Sequence, residues 1–100
     1  MLNIVAFITP QSKHYDDCRS KISDILEPTR KEEGCIKFDL FESKEQKSLV
    51  LIETFLSQSA LDEHYAQPYT MAVFDFYQGR LECDPVIHKL DAFSDKTENR

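Results

Sequence analysis

Three side chains in the second half of the sequence have the types and spacing that acid–base chemistry requires. Glu53 shares its strand parity with Leu51 and other apolar residues, where a lone carboxylate costs several kcal/mol unless it is paired or protonated. His64 shares a helical face with Leu61, so it points toward the interior, and histidine titrates close to neutral pH. Tyr69 follows with a hydroxyl that needs a partner when buried. The pattern predicts that His64 transfers a proton while Glu53 orients it or holds a substrate hydroxyl.

Each of these residues also has a structural interpretation. His64 could be a buried histidine that is satisfied by one hydrogen bond. Glu53 could be the partner of Arg30, of Lys37 or of a backbone amide. The sequence leaves both alternatives open.

Aromatic side chains are the second sign of a binding site. The sequence contains 7 phenylalanines and 4 tyrosines, and core packing is the simplest role for each of them taken alone. Together they could line an apolar pocket with a few polar groups, which is how most small-molecule sites are built. The residues predicted to bind substrate are Phe38, Phe55, Tyr69 and Phe74, with Tyr69 expected to face the pocket.

Metal and nucleotide sites are not indicated by the residue spacing. The 3 histidines form no H-x-E, H-x-H or H-x3-H pattern. Gly34 and Gly79 are the only glycines and they are isolated, whereas phosphate-binding loops need several. The sequence therefore predicts chemistry without a metal, and without a flavin or nicotinamide bound through such a loop.

Charge and composition restrict the partners and the location. The net charge of −6 argues against nucleic acid and against anionic membranes, since both attract basic proteins. No apolar run approaches the ~20 residues that span a bilayer, and no signal peptide precedes the first strand. None of the 3 cysteines is spaced as C-x-x-C. We expect a reduced, cytoplasmic protein.

The hydrophobic periodicities that position these residues alternate between strand and helix. Alternating or continuous apolar runs indicate strands, and apolar residues three and four apart indicate helices. The predicted strands cover 2–9, 35–42, 48–55 and 86–93. The first predicted helix begins at Ser12, is kinked by Pro28 and ends at a left-handed Gly34, and a short helix capped by Ser57 or Ser59 follows the third strand. The last predicted helix runs from Pro68 to near Gly79 and carries an apolar stripe of Tyr69, Val73 and Phe76.

This order of elements predicts an α+β, ferredoxin-like domain over residues 1–93. Its four antiparallel strands would be covered by helices on one face. The first strand is apolar on both faces, so its second face needs a partner chain. We therefore expect a homodimer. The polar segment 94–100 is predicted to be a disordered tail.

One longer stretch connects these elements to a known family. Glu32–Leu40 reads Glu-Glu-Gly-Cys-Ile-Lys-Phe-Asp-Leu, and Glu53-Thr-Phe, Ala60-Leu61-Asp-Glu-His64 and Pro68-Tyr69 follow it. This order resembles the antibiotic biosynthesis monooxygenase (ABM) domain family over roughly residues 2–92. Many ABM-like sequences carry a histidine after the Ala-Leu pair.

The resemblance implies a dimeric α+β barrel that acts on a small organic substrate. One branch of the family oxidises anthrone-type, polyketide-like or quinol substrates with molecular oxygen and without a cofactor, so the protein binds, deprotonates and shields the substrate. A second branch isomerises a small phosphorylated signalling compound, and a non-catalytic binding or stress-related module of the same fold is a third possibility.

Overall fold

A four-stranded antiparallel sheet organises the computed structural model, which describes residues 1–93. Both β1 and β2 pair antiparallel with β3, which lies between them, so β1 and β2 run parallel to each other. This is the predicted ferredoxin-like arrangement. The tail predicted over 94–100 lies outside the described residues. The strands are β1 (Leu2–Ile8), β2 (Cys35–Ser43), β3 (Ser48–Phe55) and β4 (Val86–Leu90), in the spatial order β2-β3-β1-β4.

The helices cover one face of this sheet. Ile4, Ala6 and Ile8 of β1 are at most 4% exposed and belong to the core, while Phe7 on the opposite face is 39% exposed. The alternation follows from the two-residue period of a strand. The helices are α1 (Tyr15–Ser23), α2 (Leu26–Arg30), α3 (Gln58–Tyr65) and α4 (Pro68–Tyr77), with a 3₁₀ turn at Ser12–His14 before α1.

The other face of the sheet is apolar and uncovered in the single chain. Phe41 is 55% exposed, Val86 44% and Leu90 46%, and Val5 and Ile52 beside them are half-buried. This is the surface on which the homodimer prediction rests. Within residues 1–93, no helix has the length and apolar character needed to cross a membrane.

The first helix is interrupted one turn earlier than predicted. A break at Asp24–Ile25 separates α1 from α2, and Pro28 lies inside α2. A proline ring crowds the carbonyl four residues before it, and here that carbonyl belongs to Asp24. The predicted kink is therefore caused by Pro28 but located at Asp24. Ser12 makes no side-chain cap, because the 3₁₀ turn begins there instead.

Gly34 has a different role from the predicted left-handed helix end. Its φ is not positive, whereas that of Gly79 is 77°. A Cβ at Gly34 would lie 2.3 Å from the Cβ of Ala60, so only glycine allows the start of β2 to contact α3. The Leu56 amide also donates to the Gly34 carbonyl at 2.8 Å. This close approach fixes α3 over the sheet.

The two later helices begin as predicted, although α4 is rotated. Ser57 caps α3 by accepting a hydrogen bond from the Ala60 amide at 3.1 Å, and Pro68 occupies the first turn of α4. The buried residues of α4 are Thr70, Val73 and Tyr77 rather than the predicted stripe of Tyr69, Val73 and Phe76.

The last strand is shorter than predicted. β4 stops at Leu90, three residues before the predicted end of that strand.

Candidate active site

A cavity lies between the helices and the core face of the sheet. The volume open to the centre of a water molecule is about 40 Å³, enough for on the order of three waters. It is apolar except for a few hydroxyl, carboxyl and imidazole groups, and Phe74 and Ile87 at its edge are 38% and 43% exposed. The lining residues are Ala6, Ile8, Ile22, Ile25, Phe38, Leu51, Glu53, His64, Tyr65, Thr70, Val73, Phe74, Tyr77, Pro85 and Ile87.

Glu53 places a carboxyl group in this cavity without a partner. It is 5% exposed, and its Oε1 makes no hydrogen bond to any of residues 1–93. Arg30 instead donates to the Phe38 carbonyl and to Asp39, and Lys37 lies 3.7 Å from Asp39. The alternative that Arg30 or Lys37 pairs with Glu53 is therefore wrong. Burial raises the pKa of Glu53 to about 7, so both the protonated and ionised forms exist near neutral pH.

His64 lines the same cavity and is held by a different carboxylate. It is 3% exposed, and its Nδ1 lies 3.0 Å from Oε2 of Glu32. Its ring packs against Phe38 and Phe55, with centroids 5.3 Å and 5.1 Å apart. The carboxylate in contact with His64 is therefore that of Glu32, just before β2, and not that of Glu53, to which the sequence analysis gave the role of orienting it.

Tyr69 stands behind His64 rather than in the cavity. Its hydroxyl donates to Oε2 of Glu32 and lies 3.4 Å from the carbonyl of Pro28. Burial, and then the hydrogen bond to Glu32, raise the pKa of Tyr69, which keeps the hydroxyl protonated and donating. The sequence analysis expected Tyr69 to face the pocket, but Tyr69 is not among the lining residues.

The predicted aromatic residues divide into two groups. Phe38 and Phe74 line the cavity, while Phe55 lies outside the lining and packs on His64 at 0% exposure. A role in substrate binding remains a prediction for Phe38 and Phe74. The positions of Phe55 and Tyr69 instead favour a structural role, since Phe55 packs on the His64 ring and Tyr69 donates to the carboxylate that contacts it.

Two lining residues carry buried hydroxyl groups to which the sequence analysis gave no role, although Tyr77 belongs to the aromatic set that it expected around a pocket. Thr70 and Tyr77 are 3% and 4% exposed, and neither hydroxyl has a partner among the described residues. Burial raises the pKa of Tyr77, so its phenol remains a donor. The spacing of Thr70, Val73 and Tyr77 is a helical stripe that could have revealed them, but the more apolar stripe beginning at Tyr69 obscured it.

Within residues 1–93, no three side chains of His, Cys, Asp or Glu lie close enough together to bind a metal ion. A titrating carboxyl, an imidazole and hydroxyl donors surrounded by apolar side chains suit proton transfer to or from a small, largely apolar molecule.

Comparison with known proteins identifies the family. The model of the antibiotic biosynthesis monooxygenase family, ABM, matches residues 1–74. The chain belongs to the ABM family. The matched region of this ABM protein includes Glu32, Glu53, His64 and Tyr69, and it ends before Tyr77.

Relatives of this ABM protein agree in sequence and in fold. It is 36% identical over 66 residues to "Putative monooxygenase Rv0793" of Mycobacterium tuberculosis strain H37Rv, an alignment that covers 66% of this chain and 65% of that relative. The solved structure of Rv0793 superposes with a TM-score of 0.87 and 27% identity, covering 95% of this chain and 97% of the other. A crystal structure titled PA3566 from Pseudomonas aeruginosa, at 21% identity, covers 93% of this chain and 94% of its own, and its TM-score of 0.86 shows the shared fold.

Proposed function

We propose that this ABM protein is a cofactor-independent monooxygenase, an oxidoreductase acting on a small aromatic, quinol or polyketide-like substrate. The observation that carries the proposal is the convergence of His64 and Glu53 on one apolar cavity. Support at the family level comes from the match to the monooxygenase family model and from the name of the relative in M. tuberculosis.

The chemistry begins with removal of an activated C–H proton from the substrate. His64 accepts this proton, because its imidazole lines the cavity while Nδ1 is already bound to Glu32. The resulting carbanion transfers electrons to O₂ and forms a carbon–oxygen bond. The peroxide anion takes up a proton, a second C–H proton leaves as the O–O bond breaks, and hydroxide departs to become water. In balance, a CH₂ group and O₂ give a carbonyl group and H₂O.

The remaining cavity groups bind and shield the substrate. Glu53 holds a substrate hydroxyl, which its carboxyl group can do in either protonation state. The apolar lining keeps the carbanion away from water. Because only about 40 Å³ of the cavity is open to the centre of a water molecule, a substrate of aromatic size has to displace the partly exposed side chains at its edge, Phe74 and Ile87.

The isomerase alternative fits this cavity less well. A phosphorylated substrate is usually held by Arg or Lys side chains or by several backbone amides, whereas the charged residues that line this cavity are Glu53 and, when protonated, His64. The negative carboxyl group would repel a phosphate. A non-catalytic binding module would use the same cavity, and turnover separates it from an enzyme.

The proposal is tested by oxygen uptake with a panel of quinols and anthrones. We expect the wild-type protein to consume oxygen after dialysis against a chelator and without added flavin. His64→Ala should lower the chemical step by about 10²–10⁴-fold, the range for loss of an acid–base group. His14→Ala removes a histidine from outside the cavity and serves as the matched control.

Stability measurements decide what a slow His64 variant means. Because His64 is 3% exposed and paired with Glu32, we expect His64→Ala to lose roughly 2–5 kcal/mol, as for truncation of a core leucine such as Leu49, and its rate is therefore compared at a temperature where it is folded. A variant with a near-normal rate and a sharply lower melting temperature would show that His64 is a structural histidine, and the proposed mechanism would then have lost its base.

A further inference from the structure

Three elements meet at one carboxylate oxygen beneath His64. Glu32 follows α2, His64 lies on α3 and Tyr69 lies in the first turn of α4. Oε2 of Glu32 contacts both Nδ1 of His64 and the hydroxyl of Tyr69. The Glu32 side chain is 12% exposed and that of His64 3%, so the contact is largely removed from water.

We propose that Glu32 and Tyr69 are positioning residues that fix the tautomer and orientation of His64. This inference rests on the proposed role of His64 in proton transfer. As a carboxylate, Glu32 can only accept hydrogen bonds, so Nδ1 of neutral His64 carries the hydrogen. The lone pair is then on Nε2, the nitrogen that a substrate proton needs as its acceptor.

Packing restricts the imidazole to one orientation. The ring lies against Phe38 and Phe55, and Glu32 holds its Nδ1. Since His64 also lines the cavity, the ring edge carrying Nε2 is the part available to a ligand. A carboxylate that holds the far nitrogen of a histidine is a common way to set the basicity of the near one.

Tyr69 acts on Glu32 rather than on substrate. Its hydroxyl donates to the same Oε2 that holds His64 and has the Pro28 carbonyl as a second neighbour. A glutamate side chain has several rotatable bonds, so a second donor restricts where its carboxylate can lie. The contact also ties the start of α4 to the end of α2, behind the cavity.

The test reads the tautomer of His64 directly by ¹⁵N NMR of its ring nitrogens at a pH where it is neutral. We expect the Nδ1–H form in the wild type and, in Glu32→Ala, a shift toward the Nε2–H form, which the free histidine side chain prefers. Tyr69→Phe should keep the Nδ1–H form and add disorder to Glu32. Glu33→Ala, the exposed neighbouring glutamate, should leave the His64 signals unchanged.

The wild-type spectrum alone can overturn the inference, even if Glu32→Ala fails to fold. A wild-type His64 in the Nε2–H form shows that Glu32 does not set the tautomer. If Glu32→Ala folds and its His64 ring signals are those of the wild type, Glu32 likewise does not set the tautomer.

Kinetics separate this inference from the proposed function. If oxygen uptake is found, Glu32→Ala should lower kcat by about 10–100-fold, as for loss of other histidine-orienting partners, while KM changes little. A wild-type protein with the Nδ1–H form that consumes no oxygen with any substrate supports the positioning role and contradicts the monooxygenase. Oxygen uptake that is unchanged in Glu32→Ala supports the monooxygenase and contradicts the positioning role.

Discussion

At the residue scale, the two titratable groups of the cavity differ in their surroundings: Nδ1 of His64 lies 3.0 Å from Oε2 of Glu32, whereas Oε1 of Glu53 has no partner among residues 1–93. Glu53 and His64 stand out because each interrupts an apolar face, a signal that a single segment carries. Glu32 lies 32 positions before His64, and its neighbour Glu33 has the same side chain but is exposed. No local pattern distinguishes the two glutamates. Only the packing of α2, α3 and β2 selects Glu32, which is why this contact could not be predicted.

The unpaired Glu53 should make stability depend on pH. Burial raises the pKa of Glu53 to about 7 from the ordinary value of 4.5, so the unfolded chain releases this proton at lower pH than the folded protein does. Between those values the unfolded state binds fewer protons, and stability falls as pH rises. Below both pKa values Glu53 is protonated in both states and does not lower the stability. Above about pH 7 the loss of stability that it causes is constant.

Glu53→Gln should remove this dependence. The stability difference between Glu53→Gln and wild type should shift by roughly 2–3 kcal/mol in favour of the variant as the pH rises from about 5 to about 8. This magnitude follows from about 1.36 kcal/mol of stability for each unit by which the folded and unfolded pKa values of Glu53 differ. Urea denaturation at several pH values measures the difference. Glu33→Gln, a surface change, should stay within about 0.5 kcal/mol. A constant difference across pH would mean that Glu53 is ionised in the folded protein at pH 5.

At the element scale, the strands and the order of elements were predictable and the helix details were not. Period-two and period-3.6 patterns define where strands and helices lie, and those patterns are local. The break at Asp24 follows from Pro28 four residues later, whereas the one-residue rotation of α4 depends on contacts between elements. In α4, Tyr69 turns toward Glu32, and the guanidinium of Arg80 lies 4.1 Å from the centroid of the Phe76 ring.

The contact between Gly34 and α3 offers a prediction at this scale. Gly34→Ala would place a methyl group 2.3 Å from the Cβ of Ala60, so α3 must shift and His64 moves with it. We expect a loss of about 1–3 kcal/mol, as for overpacking elsewhere, together with lower activity. Thermal denaturation and the His64 ring signals would report both effects.

A second substitution at the same contact provides the control. Ala60→Gly removes the methyl group that Gly34→Ala would meet, so the double variant should recover much of the lost stability. Additive losses in the double variant would show that Gly34 is required for its backbone conformation rather than for the close approach.

At the scale of the whole molecule, one face of the sheet is uncovered in the single chain. Its side chains include Phe7, Phe41, Val86 and Leu90, all more than a third exposed. Monomeric proteins seldom leave a continuous apolar surface of this kind in water. We propose that two copies pack these faces together as a homodimer and close the α+β barrel, burying at least roughly 1,200 Å² in total.

Sedimentation of variants tests this assembly. The wild type should sediment as a dimer at micromolar concentration. Phe41→Lys places a charge on β2 within the proposed interface, where burial of an unpaired ion costs several kcal/mol, and should produce monomers that keep their fold. Met71→Lys changes an apolar side chain of similar exposure, 54% against 55%, on α4, away from that face, and should remain dimeric. A monomeric wild type would show that the apolar face is tolerated in water, and dimers of Phe41→Lys would place the interface elsewhere.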